Sequence, residues 1–391
     1  MKTQYENNTL TIFLAGKIDS LNAPDVETEI NQLREKFTAE TIILDCDKLD
    51  FTSSAGLRVI LRLKQEVDDT RLINVHSDVY EIFDMTGFTE MMTVEKAYRV
   101  ISVEGCEVIG QGANGKIYRI DRDTIVKVFL NEDAIEEIHR QRELARTAFV
   151  LGVPTAIPFD VVRIESGGYG SVYELLNAKS YAKLLISGEK TLDEVAAMSI
   201  DMLKLIHSKV VKPGSMPDMK TVALDWAQFL KDYLPEDLFD KLYSLIDAVP
   251  EDMHMMHGDY HLKNVMLQNG ESLLIDMDTL CFGHPVFELA SMFNAYVGYS
   301  VLDHTRVLDF LGIDFETACA FWKKSLELYL GTTDEEILRG VENKAKIVGF
   351  TRIMRRTIRR NGLNREDGRA EIENCKAVLA ELLPKTDTLL F

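Results

Sequence analysis

The chain has 391 residues, enough for two or three domains that each bury a core of their own. Hydrophobic residues make up 46% of it and charged residues 27%, which are ordinary fractions for a globular protein. The net charge of −19 at pH 7 argues against broad binding to nucleic acids or to anionic membranes. The same charge tolerates neutral or cationic substrates without selecting one.

The cysteines and the lengths of the apolar runs indicate which kinds of site and which cellular location to expect. The five cysteines form no C-x-x-C pair, so we expect neither a zinc site nor a disulfide framework. The N-terminus is polar, and no apolar run approaches the roughly 20 residues that a membrane helix requires. The sequence therefore predicts a cytoplasmic protein that does not bind membranes.

The first hundred residues alternate between strand and helix patterns. Apolar alternation predicts three strands, at residues 9–14, 41–46 and 71–75. Amphipathic or helix-like patterns predict three helices, at residues 24–37, 57–67 and 78–84. Such alternation at this length predicts a compact α/β domain with helices packed on a small sheet.

A serine-containing segment, residues 50–59, leads into the second of these helices. Together with the element order, it resembles the STAS domain, the fold of bacterial anti-sigma factor antagonists, over residues 1–101. The resemblance implies that Ser54 is phosphorylated by a partner kinase and that the phosphate breaks the complex with that partner. Ser53 stands where the family commonly has Asp, so it is a second candidate. The alternative is that both serines cap the helix.

The second predicted domain, residues 102–391, follows without a long linker and begins with a glycine-rich loop. Gly110, Gly112 and Gly115 fit the pattern G-x-G-x-x-G, which dinucleotide-binding folds also use. A strand pattern at 116–120 follows instead of a helix, and a second strand, 124–129, contains Lys127. A glycine loop between strands with a lysine on the next strand is typical of a site for ATP phosphates.

Lys127 lies in an apolar run, so its charge requires a partner. The helical stretch 133–151 supplies the candidate partners. Glu143 is the preferred partner and Glu137 the second choice. The alternative is an edge-strand lysine that faces solvent.

The run 257–264 contains the residue types that phosphoryl transfer requires. Asp259 precedes Asn264 by five positions, and Asp276 follows after two short apolar strands joined by a polar turn at 268–270. One carboxylate would orient or deprotonate an acceptor hydroxyl, and the other oxygens would bind magnesium. A hairpin would bring Asn264 and Asp276 to the same end. The alternative is an acidic loop exposed to solvent.

These pieces in this order resemble the aminoglycoside phosphotransferase and choline kinase-like group, relatives of protein kinases. The resemblance implies a bilobal fold with an N-lobe at about 106–176 and a C-lobe at about 177–391. It implies that Asp259 orients or deprotonates the acceptor hydroxyl, that Asn264 and Asp276 bind magnesium, and that Lys127 contacts the ATP phosphates. Glu174 matches the hinge that holds the adenine.

Several positions separate this chain from protein kinases and from its own group. The segment after Asp278 is too short for an activation loop, which favours the small-molecule branch. His284 and Glu288 stand where the group commonly has Asp, and Lys263 stands where it commonly has Gly. We interpret these changes as variation that retains activity, since Glu288 keeps the charge.

A helical C-terminal region carries five arginines in an otherwise acidic protein: Arg352, Arg355, Arg356, Arg359 and Arg360. The spacing puts the first four on one helical face. This face could bind a phosphate or an acidic substrate group, or it could be solvated or paired with carboxylates of the body.

The sequence as a whole predicts an α+β multidomain protein with an N-terminal STAS-like α/β domain and a protein kinase-like domain. The predicted activity is ATP- and magnesium-dependent transfer of the γ-phosphate to a hydroxyl of a small molecule, with the STAS domain as a regulatory module that docks a protein partner. Two alternatives remain. The kinase-like half binds nucleotide without transfer in a signalling protein of the antagonist type, or it phosphorylates Ser54 or Ser53.

Overall fold

The computed structural model describes residues 1–112 and 114–391, so Ala113 of the predicted glycine loop lies outside the described residues. The chain divides into two compact units. Residues 1–106, 128–132 and 161–170 form the first, and residues 107–127, 133–160 and 171–391 form the second. The domain boundary at residues 101 and 102 stays a prediction.

The first unit is built on a five-stranded sheet in which the strands follow chain order. β1 and β2 are antiparallel, and the remaining neighbours are parallel. Alternate side chains of β2 and β3 are buried, as the alternating sequence pattern predicts. The strands are β1 (Lys2–Glu6), β2 (Thr9–Ile18), β3 (Thr41–Thr52), β4 (Asp69–Val75) and β5 (Val94–Lys96).

Helices connect the parallel strands and supply the other half of this unit's core. On α2, Leu57, Ile60 and Leu63 recur at helical spacing and are buried in one apolar cluster with the sheet. The helices are α1 (Ala23–Lys36), α2 (Ser54–Glu66), α3 (Ser77–Met85) and α4 (Phe88–Met91). β6 (Arg99–Ile101) pairs in parallel with β10 (Asp160–Ile164). The predicted α/β domain is therefore confirmed, while sequence reasoning missed β1, β5 and α4.

The second unit contains β7, β8 and most of β9 and β11, which lie in the order β11-β9-β8-β7 and are followed along the chain mainly by helices. β7 and β8 are antiparallel and enclose the glycine loop. The strands are β7 (Glu107–Gln111), β8 (Gly115–Arg119), β9 (Thr124–Phe129) and β11 (Tyr169–Glu174), and α5 (Ile135–Val150) follows β9. The strand predicted at 124–129, which carries Lys127, is confirmed.

Most of the second unit is helical, with two small sheets inserted before α10. The sheet strands are β12 (Lys179–Ser180), β13 (Met255–Met256), β14 (Val265–Gln268), β15 (Glu271–Leu274) and β16 (Cys281–Phe282). The helices are α6 (Tyr181–Ile186), α7 (Leu192–His207), α8 (Met219–Phe229), α9 (Glu236–Asp247), α10 (Val286–Tyr296), α11 (Thr305–Leu311), α12 (Phe315–Leu330), α13 (Glu335–Arg359) and α14 (Glu366–Leu382). None of the helices in the described part of the chain is long and apolar enough to span a membrane.

The predicted hairpin is formed by β14 and β15, with Val265 paired to Leu274. Its turn is made by Asn269 and Gly270, which both have positive φ. This is the backbone conformation that two-residue hairpin turns require, and Asn-Gly adopts it readily. The hairpin therefore brings residue 264 close to residue 275.

Candidate active site

The loop between β13 and β14 is held by the buried core on which it lies. The Tyr260 hydroxyl donates a hydrogen bond to the Ser199 carbonyl oxygen at 2.6 Å, and the Leu262 N–H donates to the Tyr296 hydroxyl at 3.1 Å. Tyr260 and Leu262 are fully buried, whereas the Asp259 side chain is 42% exposed. The core thus fixes the backbone of the loop and leaves the Asp259 carboxylate accessible.

Glu288 of α10 lies beneath this loop and is fully buried. Its carboxylate accepts hydrogen bonds from the His257 N–H at 2.5 Å and from the Gly258 N–H at 3.1 and 3.2 Å. Burial acts to raise the pKa of Glu288, but His207, the charge of His257 and the backbone donor outweigh it, and the pKa is lowered. A charged, buried acceptor therefore anchors the two residues that precede Asp259.

Gly258 has a backbone conformation and a position that only glycine accommodates. Its φ is +80°, and a Cβ atom there would collide with the Thr279 carbonyl oxygen. The Thr279 hydroxyl donates a hydrogen bond to the His257 carbonyl oxygen at 2.8 Å. The loop and the segment after β15 therefore pack in direct contact at this residue.

The charges around Asp259 come from histidine and arginine side chains. His261 Nε2 lies 3.6 Å from Asp259 Oδ2. Burial acts to raise the pKa of Asp259, but His261, together with the charges of Arg352 and His257, lowers it to about 2. Asp259 is therefore an ionised carboxylate near neutral pH, able to accept a hydrogen bond from a hydroxyl group.

Asn264 and Asp276 lie at the open end of the β14–β15 hairpin, as the sequence predicts. The Asn264 side-chain amide donates to the Asp259 carbonyl oxygen at 3.0 Å, and the Ile275 N–H donates to the Asn264 carbonyl oxygen at 3.0 Å. Asp276 has left-handed backbone angles, φ +61° and ψ +62°. Asp tolerates this region better than most residues, and its appearance here marks a constrained position.

Lys127 of β9 makes an ion pair with Asp276, with 2.9 Å between Nζ and Oδ1. Burial acts to lower the pKa of Lys127, but Asp276 and the charge of Asp278 outweigh it, and the pKa is raised. Asp278 accepts a hydrogen bond from the Asn114 side chain at 3.1 Å. The glycine loop, β9 and the segment after β15 thus meet around two aspartates.

The predicted pairing of Lys127 with Glu143 is wrong. Glu143 is 66% exposed and lies 3.6 Å from Arg146. The charge of Lys127 instead helps to lower the pKa of Glu137, after the larger effect of the hydrogen bond from Arg140. The two glutamates are six positions apart, which puts them about 120° apart around the helix, so only one can face β9.

The glycine loop has a tight turn whose N-terminal strand packs closely on its neighbour. The Gly112 N–H donates to the Gly115 carbonyl oxygen at 2.9 Å. A Cβ atom at Gly110 would lie 3.3 Å from Ile117, whereas one at Gly112 would meet nothing within 4 Å. Packing therefore explains the glycine at 110 and does not explain the one at 112.

Glu174 ends β11 and lines a cavity of about 410 Å³ with Tyr173, Leu176 and Asn269. Lys127 and Asp276 are not among the residues that line it. The structure thus places Glu174 at the strand end where the hinge is predicted, without bringing it to the lysine and the aspartates. Its contact with adenine stays a prediction.

The family comparison agrees with this arrangement. Residues 105–319 match the phosphotransferase enzyme family, which is more than half of the chain. The chain belongs to the phosphotransferase enzyme family.

A solved structure of another phosphotransferase has the same fold. This is a thermostable mutant of aminoglycoside phosphotransferase APH(4)-Ia in ternary complex with AMP-PNP and hygromycin B. The TM-score is 0.50 at 13% sequence identity, and the match covers 73% of this chain and 95% of the other. At this identity the similarity shows the protein kinase-like fold alone.

The N-terminal part of this phosphotransferase is a STAS domain, matched over residues 1–100. A Bordetella bronchiseptica protein named as an anti-sigma factor antagonist, BtrV, is 34% identical over 85 residues, covering 21% of this chain and 72% of that protein. The anti-sigma F factor antagonist of Paenibacillus polymyxa is 24% identical over 98 residues, covering 24% of this chain and 84% of that protein. Both predicted family resemblances are confirmed.

The two predicted phosphorylation candidates of the STAS domain differ in their surroundings. Ser53 is the N-cap of α2, and its hydroxyl accepts a hydrogen bond from the Ala55 N–H at 3.2 Å. Ser54 is the first residue of the helix, and it is exposed. The capping interpretation therefore fits Ser53, while Ser54 presents its hydroxyl to solvent.

Three residues that contact the candidate site were not predicted from the sequence. Ser291 donates its hydroxyl to the Gly258 carbonyl oxygen at 3.0 Å, Arg352 lies against the same carbonyl, and His207 lies 3.7 Å from Glu288. All three are distant in sequence from the loop that carries Asp259, so no local pattern points to them.

Proposed function

We propose that this protein transfers the γ-phosphoryl group of ATP to a hydroxyl group of a small molecule. The observation that carries the proposal is the meeting of Asp259, Asn264 and the Lys127–Asp276 pair at the ends of one loop, one hairpin and one strand. Catalysis of this kind consists mainly of positioning and charge neutralisation, which these groups supply without a covalent intermediate.

The proposed reaction forms one bond and breaks one. The acceptor oxygen bonds to the γ-phosphorus, and the bond between that phosphorus and the β,γ-bridging oxygen breaks, so ADP leaves with the electron pair. The proton of the hydroxyl passes to the Asp259 carboxylate. Because the pKa of Asp259 is only about 2, it is a weak base, and its main task is to orient the hydroxyl until late in the transfer.

Lys127 would bind the phosphates of ATP through its ammonium group, and the backbone at Gly110, Gly112 and Gly115 would approach them closely. Asn264 and Asp276 would hold magnesium. Their oxygens are the ligand type that magnesium prefers, and the amide of Asn264 is already oriented by its bond to the Asp259 carbonyl. Bound magnesium would neutralise the charge of those phosphates.

The test is turnover of ATP with magnesium, measured for the wild type and for Asp259→Asn against a panel of hydroxyl compounds. We expect acceptor-dependent ADP release to fall by about three orders of magnitude or more while binding of a fluorescent ATP analogue is retained. The exposed Asp240 on α9 provides the matched control, Asp240→Asn. Equal turnover in the wild type and Asp259→Asn would refute the assignment.

A second function is supported by the STAS domain and its antagonist relatives. We propose that this domain docks a protein partner and that Ser54, exposed at the start of α2, is the residue phosphorylated. A phosphate there would add up to two negative charges to the docking surface. Mass spectrometry of the peptide 51–58 after incubation with ATP and magnesium tests whether this protein modifies itself. Phosphate on Ser54 supports that reading, and an unmodified peptide leaves only a partner kinase for the role.

A further inference from the structure

A basic strip lies on α13 beside the catalytic loop. It consists of Arg352, Arg355 and Arg356, which share one helical face by their spacing of three and four residues. Arg355 lies 2.9 Å from Asp225, but within the described chain no carboxylate lies within 4 Å of Arg352 or Arg356. A protein with a net charge of −19 thus leaves most of this strip without a counter-charge.

One end of the strip touches the residues that carry the proposed chemistry. Arg352 donates a hydrogen bond to Ser291 at 2.9 Å and lies 3.4 Å from the Gly258 carbonyl oxygen, next to Asp259. Lys127 lies elsewhere in the site, with its Nζ 2.9 Å from Asp276 Oδ1. The strip therefore lies next to Asp259, where the acceptor is proposed to bind. Lys127 lies where the ATP phosphates are proposed to bind.

Each guanidinium group of the strip lies against an aromatic ring. The carbon at the centre of the guanidinium is 5.4 Å from the ring of Trp226 for Arg352, 5.6 Å from Phe229 for Arg355 and 4.8 Å from Tyr299 for Arg356. Such contacts hold the guanidinium plane in a fixed direction. They leave its N–H groups at the edge available for hydrogen bonds.

Packing and ion pairs within the chain account for only part of the strip. The bonds of Arg352 to the loop explain that residue as a support for the backbone. Arg355 has a buried Nε atom without a hydrogen-bond partner among the described residues, and Arg356 is exposed. The exposed Arg356 therefore has N–H groups that an anionic ligand can reach.

We propose that the hydroxyl acceptor carries an anionic group, a phosphate or a carboxylate, which Arg355 and Arg356 bind. This inference rests on the proposed function and specifies its substrate class. Arg356 lies one helical turn beyond Arg352, a rise of about 6 Å, so the anionic group would bind about one turn along α13 from the side of Asp259. A polycationic acceptor such as an aminoglycoside would be repelled by the same strip.

The experiment measures binding and transfer separately. With the nucleotide site saturated by AMP-PNP and magnesium, saturation-transfer NMR and titration follow the binding of glycerol 3-phosphate, glycerate, glycerol, choline and inorganic phosphate. The variants are Arg356→Gln and Arg355→Gln, and the control is Arg339→Gln. Arg339 is exposed on the same helix, about 25 Å from Arg356 along the axis. Thermal unfolding verifies that each variant folds.

We expect the anionic probes to bind more tightly than glycerol or choline. Arg356→Gln should weaken them by about 10-fold or more, as the loss of a charge-assisted hydrogen bond predicts, and Arg339→Gln should not. A preference for glycerol 3-phosphate over glycerate would identify phosphate as the anion, and the reverse would identify carboxylate.

Binding of neutral or cationic probes as tight as that of the anions, unchanged in Arg356→Gln, would overturn the inference. So would the absence of any anion binding. The same compounds are then supplied with ATP. If the anions bind but no ADP is released, the proposed function is contradicted and the anion site is supported. If transfer is efficient to choline or glycerol alone, the proposed function is supported and the anion site is refuted. Transfer to Ser54 alone would also refute a small anionic acceptor.

Discussion

Glu288→Gln is the substitution that tests how the loop at residues 257–264 is held. The side chain keeps its size, so no cavity forms, but the amide presents only one acceptor oxygen to the N–H groups of His257 and Gly258. Of the hydrogen bonds that His257 and Gly258 donate to the Glu288 carboxylate, one is lost and the other is then made to a neutral oxygen. The N–H group that loses its acceptor faces the NH₂ of the glutamine. These changes sum to about 3–5 kcal/mol, the range measured when one partner of a buried charge pair is removed.

The assay is calorimetric unfolding of the full chain, in which the transition of the phosphotransferase domain is followed. A loss of about 3–5 kcal/mol corresponds to a fall in Tm of roughly 5–8 °C for a domain of about 290 residues. Glu143→Gln is the matched control. Its side chain is exposed against Arg146, so the change should stay within about 0.5 kcal/mol.

Acid pH supplies an independent check on the same residue. The pKa of Glu288 is lowered in the folded state from its ordinary value of 4.5. Its stabilisation is therefore fully present above about pH 5 and is lost as the pH falls through the lowered value. The difference in stability between the wild type and Glu288→Gln should narrow below pH 4.5. A Tm within 2 °C of wild type at pH 7, or a constant difference at acid pH, would refute this account of the loop.

Two further predictions concern the backbone of the loop and the partner of the lysine. Gly258→Ala should lower the free energy of unfolding by about 3 kcal/mol or more and abolish turnover, because the new side chain meets both a positive φ and a collision with Thr279. The control Gly188→Ala, with φ +71° and open space around it, should lower that free energy by only about 1 kcal/mol. Equal losses of stability in chemical denaturation would contradict the packing argument. Glu137→Gln should weaken ATP binding about two- to fivefold and Glu143→Gln should not, because Glu137 is the glutamate that interacts with the charge of Lys127. Titration with a fluorescent nucleotide measures the affinity of both variants. A larger loss in Glu143→Gln would support the pairing of Lys127 with Glu143.

Local sequence patterns were sufficient for the elements that carry the site. Alternation predicted the strand of Lys127, and Asn-Gly between two apolar runs predicted the hairpin that brings Asn264 towards Asp276. The strands and turns concerned are short, and their conformation is decided by neighbours within a few residues. The same holds for Ser53, whose type and position before a helix are typical of an N-cap.

Long-range partners were beyond the reach of those patterns. A helical pattern shows that Glu137 and Glu143 lie on one helix, but it does not say which of them faces β9, because several faces of α5 carry charge. The roles of Ser291 and Arg352 depend on how α10 and α13 pack beneath the catalytic loop. Such contacts join residues many positions apart and are set by the packing of the whole core.

The sequence by itself determined the two families, the order of the elements and the identity of Asp259, Asn264, Asp276 and Lys127 as candidates, because spacing along the chain carries that information. Only the tertiary structure decided what surrounds them. It brought Glu288 beneath the loop as a buried acceptor, and it set the arginines of α13 against aromatic rings beside Asp259. The physical reason is that burial and charge neighbours arise from packing between distant segments, so they exist only once the chain has folded.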